Sequence, residues 1–210
     1  MAVELYLVTD EALLRGRDLV WAVEEAVIGG VNMVQLREKH ASPREFVEKA
    51  VALKTMLAPY GVPLIINDDV EVALAAGADG VHVGQGDMPV REVRRRLPRH
   101  AIVGLSVESR EQVLEADALP VDYIAASPVF ATPTKTDTVI EWGIEGVAWI
   151  RSVTRHRLVA IGGVKRDNAE LIVRAGADSL AVISGILAPE SPRMAAGEFR
   201  AVLDRCHGCY

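Results

Sequence analysis

Pro63-Leu64-Ile65-Ile66-Asn67-Asp68-Asp69, a helical stretch from Val70 to Ala76, then Gly77-Ala78-Asp79 and Gly80-Val81-His82-Val83: this run decides how the rest of the chain is read. Apolar runs this short, Pro63–Ile66 and Gly80–Val83, read as strands buried on both faces, the habit of parallel sheets. The first ends in three polar groups, and Asp69, just before Val70, suits the cap of the following helix. Gly77 stops that helix, and Ala78-Asp79 turns the chain into the next strand. A strand, a crossover helix and a second strand make one βαβ unit, with its polar groups gathered at the carboxyl end of the first strand.

Working outward, the same unit recurs. Further strands are predicted at Leu5–Val8, Asn32–Leu36, Ile102–Ser106, Tyr123–Ala126, Leu158–Ile161 and Ser179–Ile183. Helical patterns fill the gaps: Leu19–Ile28, closed by a left-handed cap at Gly29-Gly30; Pro43–Ala58, capped by Ser42 and stopping before Pro59; Val90–Leu97; Arg110–Ala116; Gly143–Ser152; Asp167–Ala175; and a last helix within Ala195–Arg205. Gly176-Ala177-Asp178 repeats the turn at Gly77-Ala78-Asp79. Eight strand–helix units with no break in composition predict a single (βα)8 barrel domain over residues 1–210, with short connections and the active site on the carboxyl rim. An open doubly wound sheet is the alternative, weakened because no G-x-G-x-x-G follows the first strand. One connection, Ser127 to Trp142, is long and polar and is the candidate for a lid.

Composition narrows the function. The chain is 50% hydrophobic with 5% aromatics and 17 glycines, which fits an aliphatic α/β interior. A net charge of −6 argues against nucleic acid as a partner. No apolar run reaches the roughly 20 residues that span a bilayer, and Met1–Asp10 lacks the pattern of a secretory signal, so no membrane partner and a cytoplasmic location are expected. Cys206 and Cys209 sit together in a tail expected to fray, which gives no disulfide framework. Whether the chain forms a homo-oligomer is left open.

The strand ends carry the chemistry. Asp68 and Asp87 follow adjacent strands, which lie about 4.8 Å apart, so the two can converge on one hard cation; magnesium, with its preference for oxygen, is the candidate. The competing readings are a helix cap for Asp68 and a backbone-bonded loop aspartate for Asp87. Arg37 and Lys39, two apart at the end of the second strand, are expected to point the same way. With Lys135 from the long loop they suit a diphosphate. Gly162-Gly163 and Ser184-Gly185 end the last two strands, where barrels often hold a phosphate on backbone N–H groups. Gln35 and Ser106 could hydrogen-bond a neutral heterocycle. His82 reads as a hydrogen-bonded core histidine, and His40, His100 and His156 as surface residues. No Ser/His/Asp or Cys/His pairing points to nucleophilic catalysis.

The chain resembles the thiamine phosphate synthase family over essentially its whole length. The matching segments are Tyr6-Leu7-Val8-Thr9-Asp10, Gln35-Leu36-Arg37-Glu38-Lys39, Leu64-Ile65-Ile66-Asn67-Asp68, Gly80-Val81-His82-Val83-Gly84-Gln85-Gly86-Asp87, Pro128-Val129-Phe130-Ala131-Thr132-Pro133-Thr134-Lys135, Ala160-Ile161-Gly162-Gly163 and Val182-Ile183-Ser184. The resemblance implies a (βα)8 barrel that joins hydroxymethylpyrimidine diphosphate to hydroxyethylthiazole phosphate, giving thiamine phosphate and pyrophosphate. It also implies roles. Gln35, Leu36, Arg37, Glu38 and Lys39, with Asn67, Ser106 and Lys135, bind the pyrimidine diphosphate, and Asp68 and Asp87 hold Mg2+. Thr132, Pro133, Thr134, Gly163, Ile183 and Ser184 bind the thiazole phosphate. Arg37, Lys39, Lys135 and Ser106 are the residues expected to act in catalysis, in a reaction where the carbon–oxygen bond breaks before the new bond forms. The chain departs from the family pattern at Ala126-Ser127, where a glycine is expected before Pro128. Thiazole tautomerase-like proteins share the barrel but tend to lack the full diphosphate and magnesium set, and a noncatalytic phosphate sensor is the rival from another class.

Overall fold

The apolar runs become β1 (Glu4–Val8), β2 (Met33–Leu36), β3 (Leu64–Asn67), β4 (Gly80–Val83), β5 (Ile102–Val107), β6 (Tyr123–Ala126), β7 (Arg157–Ile161) and β8 (Ser179–Val182). They pair in chain order, all parallel, and β8 returns to β1 through Glu4↔Ser179 and Tyr6↔Ala181, which closes the barrel. The computed structural model describes residues 4–132 and 141–207. Between strands lie α1 (Leu19–Ile28), α2 (Pro43–Leu57), α3 (Val70–Ala76), α4 (Val90–Arg96), α5 (Arg110–Ala116), α6 (Gly143–Val153) and α7 (Arg166–Arg174). The four-residue α8 (Ser184–Leu187) and the terminal α9 (Pro192–His207) follow β8. This is the (βα)8 barrel that the strand–helix alternation predicts.

Period-two alternation along the strands divides the core in two. Leu5 and Leu7 face out and join the apolar layer beneath the helices, with Val34, Leu36, Leu64 and Ile66. Tyr6, Val8, Met33, Ile65, Tyr123, Ala125, Val159 and Ala181 face in and fill the barrel. The filling is tight. At Gly104 on β5 an added Cβ would lie 2.1 Å from the Tyr123 ring, so this glycine makes room for a phenol on the barrel axis.

The amino-terminal end of the barrel is held by a device repeated four times. A polar side chain just before each even-numbered strand accepts the N–H at the start of the odd-numbered strand beside it. Asn32 Oδ1 takes Leu5 N–H at 2.8 Å and Asp79 Oδ2 takes Leu64 N–H at 2.8 Å; Asp122 Oδ2 takes Val103 N–H at 2.7 Å and Asp178 Oδ2 takes Leu158 N–H at 2.8 Å. The backbone N–H of each capping residue returns a bond to the carbonyl of the same strand residue. Each aspartate also receives a cation from the helix before that odd-numbered strand: Lys54 of α2 for Asp79, Arg94 of α4 for Asp122 and Arg151 of α6 for Asp178. The recurring Gly-Ala-Asp turn is thus a strand-capping motif.

Several expectations shift. β2 stops at Leu36, so Arg37 and Lys39 lie beyond the strand, and their two-residue spacing no longer gives them a common direction. At Gly29-Gly30 the cap residue Gly29 is right-handed and the positive φ falls on Gly30, at 111°. A 3-10 turn, Ala58–Tyr60, carries α2 on through Pro59 to a left-handed Gly61. The last helix is longer than predicted, and Cys206, far from fraying, is buried with its Sγ donating to Val202 O at 3.3 Å. Cys209 lies outside the described residues. His156 is half-buried, its Nε2 3.0 Å from Ala116 O.

Asp178→Ala leaves the buried Leu158 N–H without its partner, and is expected to cost about 1–3 kcal/mol of stability. The check is the urea unfolding midpoint.

Candidate active site at the carboxyl rim

The carboxyl ends of the strands open into a cavity of about 370 Å3. One wall is acidic. β3 ends at Asn67, and the chain then passes through Asp68 with φ +64°, in the left-handed region that a non-glycine residue enters at a cost of roughly 1–2 kcal/mol. The turn is held by Asp68 N–H on His82 O and Asp69 N–H on Asn67 O, both at 2.8 Å. Asp69 takes the capping role, accepting Val72 N–H at 2.9 Å, which leaves the Asp68 carboxyl for the cavity. From the next strand end Asp87 arrives, its Oδ2 accepting Gly84 N–H at 2.7 Å. So Asp87 is both a backbone-bonded loop aspartate and a cavity residue.

The two carboxyls lie close enough to act on each other's ionisation. Part of Asp68 is open to the cavity mouth, yet the protein packed around its carboxyl raises its pKa to about 7, reinforced by the neighbouring Asp87. Arg37 and the Asn67 amide, which donates to Asp68 Oδ2 at 2.6 Å, pull the other way. Two carboxyls this close share a proton when nothing else neutralises them, and a divalent cation would displace it.

Arg37 is half-buried beside this pair. Its N–H donates to the buried Thr9 Oγ1 at 3.0 Å, and its guanidinium lies 3.8 Å from Asp10. The residues around it part company with the sequence reading. Leu36 points outward into the core beneath the helices. Glu38 turns away to Lys49, 3.0 Å from its Oε2, its pKa raised by burial, and Glu38 Oε1 has no hydrogen-bond partner. Lys39 is exposed and does not line the cavity. Of the five residues Gln35–Lys39, Gln35 and Arg37 reach the cavity.

The opposite wall is built from the ends of β7 and β8. Gly162 and Gly163 have φ of +93° and +63°, and Cβ atoms there would meet Pro128 at 2.5 Å and Phe130 at 2.7 Å, so both glycines are required. Asn168 of α7 fixes the turn, donating to Gly163 O at 2.9 Å and accepting Lys165 N–H at 2.8 Å. Ile183, Ser184 and Thr132 complete this side. Pro128–Phe130 runs beside β7, with Val129 N–H on Ile161 O at 2.8 Å and Phe130 N–H on Gly162 O at 3.1 Å. The Ser127–Pro128 peptide, where the chain departs from the family pattern, is cis. Pro133, Thr134 and Lys135, with most of the expected lid, lie outside the described residues.

On the floor, sequence reasoning found Gln35, His82 and Ser106 and missed Tyr6 and Tyr123. Gln35 Nε2 donates to Tyr6 Oη at 2.7 Å; Tyr6 Oη is 2.9 Å from Tyr123 Oη; His82 Nδ1 is 3.0 Å from Tyr123 Oη, and His82 Nε2 is 2.8 Å from Ser106 Oγ. His82 is the hydrogen-bonded core histidine expected, but it also lines the cavity, as do Tyr6 and Lys165. A phenol on the inward phase of the aliphatic run Leu5–Val8 was the available signal for Tyr6.

Comparison with known proteins adds the family. A model of the family described as thiamine monophosphate synthase matches residues 5–186. A thiamine-phosphate synthase from Albidiferax ferrireducens is 52% identical over 97% of this chain and 93% of its own length. One from Vibrio parahaemolyticus is 48% identical over 97% and 99%. Among solved structures, the thiamine phosphate pyrophosphorylase of Pyrococcus furiosus has a TM-score of 0.88 at 35% identity, covering 97% of this chain and 96% of that one. The orotidine 5'-phosphate decarboxylase of Pyrococcus horikoshii, at TM-score 0.68 and 17% identity over 96% and 99%, shares the fold alone.

Removing the crowded charge should stabilise the metal-free protein. Asp68 binds its proton more tightly when folded, so its ionisation destabilises the fold progressively from about pH 4 and fully above about pH 7. With a chelator present, Asp68→Asn is therefore expected to raise the unfolding midpoint at pH 8 and to have little effect at pH 4. An equal gain at both would show that charge is not the cause.

Proposed function

The chain belongs to the thiamine monophosphate synthase family, and from that premise we propose how its rim carries the reaction. The activity is thiamine phosphate synthesis, a transferase reaction. In this reading 4-amino-2-methyl-5-hydroxymethylpyrimidine diphosphate lies across the floor with its diphosphate against Arg37, Asn67 and the carboxylate pair. Hydroxyethylthiazole phosphate lies opposite, its phosphate on the backbone of Gly163 and the Ile183-Ser184 turn, with Thr132. Lys135 and its neighbours Pro133 and Thr134 join from the long loop by the family pattern. Supporting this division is the separation of acid and arginine on one wall from a glycine-built turn on the other.

Asp68 and Asp87 suit magnesium: both are hard oxygen donors, they face one another, and together they would offer the one or two carboxylates that magnesium takes beside water and phosphate. The described residues hold no group of three or more His, Cys, Asp or Glu able to hold a metal, and magnesium needs none. When bound, the ion would neutralise charge on the leaving diphosphate. The chain's own residues do the rest. Arg37 stabilises the departing oxygens as the carbon–oxygen bond breaks and its electron pair leaves with pyrophosphate. The thiazole nitrogen then donates its lone pair to the exocyclic carbon, so no general base is required. The apolar rim residues Val8, Ile161 and Ile183 help to keep water from the cationic carbon. No described helix is long and apolar enough to cross a membrane, and we place the enzyme in the cytoplasm.

The observation that carries the mechanism is the Asp68–Asp87 contact beside Arg37. Mixing both substrates with magnesium should release pyrophosphate in step with thiamine phosphate; binding without release would end the enzymatic reading. Asp87→Ala should raise the magnesium concentration for half-maximal rate at least about tenfold, whereas an unaltered magnesium curve would remove Asp87 from the metal site.

A further inference from the structure

The hydrogen-bonded chain across the floor has a direction. Gln35 donates its amide Nε2 to Tyr6 Oη. Tyr6 has one proton, and its neighbour at 2.9 Å is Tyr123 Oη. Burial pushes the pKa of both phenols up, so each keeps its proton. Having received from Gln35, Tyr6 donates to Tyr123; having received from Tyr6, Tyr123 donates onward to His82 Nδ1, 3.0 Å away. His82 must then be neutral at Nδ1 and carry its proton on Nε2, which it donates to Ser106 Oγ at 2.8 Å. Ser106 Oγ accepts that bond and is left with its own O–H to give.

Both ends of the chain open on the cavity. At one end Gln35, with its NH2 engaged by Tyr6, has its carbonyl oxygen left to accept; at the other Ser106 has a hydroxyl proton left to give. We propose that Tyr6, Tyr123 and His82 are positioning residues that lock this polarity, so that the floor shows one acceptor and one donor matched to a 4-aminopyrimidine. The amino N–H gives to Gln35 and a ring nitrogen accepts from Ser106. A 4-oxo ring sets its carbonyl against the Gln35 carbonyl and, with its N–H on the nitrogen beside that carbonyl, leaves the Ser106 O–H without its acceptor, and is rejected. The packing supports rigidity: the Tyr123 ring meets Tyr6 edge-on at 6.1 Å, stacks on His82 at 5.5 Å and fills the space over Gly104. This inference rests on the reading that the pyrimidine binds on this floor.

Two measurements decide it. Long-range 1H–15N NMR of His82 in the unliganded wild type should show a neutral ring protonated on Nε2; a proton on Nδ1, or an imidazolium at neutral pH, overturns the polarity without any variant. Tyr123→Phe keeps the ring and removes only the relay hydroxyl. It is expected to raise KM for the pyrimidine diphosphate about tenfold, to leave KM for thiazole phosphate unchanged, and to shrink the preference for the 4-amino over the 4-oxo substrate. A fall in rate with that preference intact would mean a merely structural tyrosine and would sink the proposal. Should the variant not fold, the wild-type His82 tautomer still decides. Loss of the family reading would look different: the wild type would release pyrophosphate from neither pyrimidine, whatever the state of His82.

Discussion

Closing a sheet of short parallel strands leaves N–H groups at the start of every strand that must be paired before the barrel can be stable. The four side-chain caps, Asn32, Asp79, Asp122 and Asp178, meet that constraint for the odd-numbered strands. Each ties two neighbouring strands in both directions, and three of them also tie down the helix before the odd-numbered strand through a half-buried cation. The first uses an amide, not a carboxylate.

With the amino-terminal end fixed this way, the other end is free to carry unfavourable groups. Asp68 holds a left-handed backbone, and burial and the neighbouring Asp87 raise the pKa of its carboxyl, two features that oppose folding. Gly162 and Gly163 take positive φ and give up side chains that would clash with Pro128 and Phe130. Between the ends, the barrel interior mixes apolar Met33, Ile65 and Val159 with the hydrogen-bonded Tyr6, Tyr123 and His82, and Gln35 and Ser106 reach the cavity. Stability and chemistry are divided along the barrel axis.

Much of this was legible in the sequence because period and punctuation agreed. Strands β4 and β6 fall where their apolar runs predict, and Asp69 was separable from Asp68 because it directly precedes Val70. The common direction expected of Arg37 and Lys39 did not hold because strand geometry was carried past Leu36. The loop beyond is set by long-range partners, Thr9 for Arg37 and Lys49 for Glu38, which no local pattern announces. The sequence left the place of Lys165 open, because it follows the Gly162-Gly163 turn, whose positive φ values no local pattern specifies; it lines the cavity. The Tyr6–Tyr123 pair, 117 residues apart, could be found only once the barrel had closed.

The repeated cap also bears on how the chain assembles. Asp79, Asp122 and Asp178 meet their helix cations across separations of only 25, 28 and 27 residues. Loop-closure entropy is small over such spans, so each quarter can gain its defining contacts before the ring exists. The β1–β8 seam is different, joining residues as far apart as Glu4 and Ser179. Three-quarters of the barrel can thus zip from local modules, and the last pairing is left to select the chains whose register already matches.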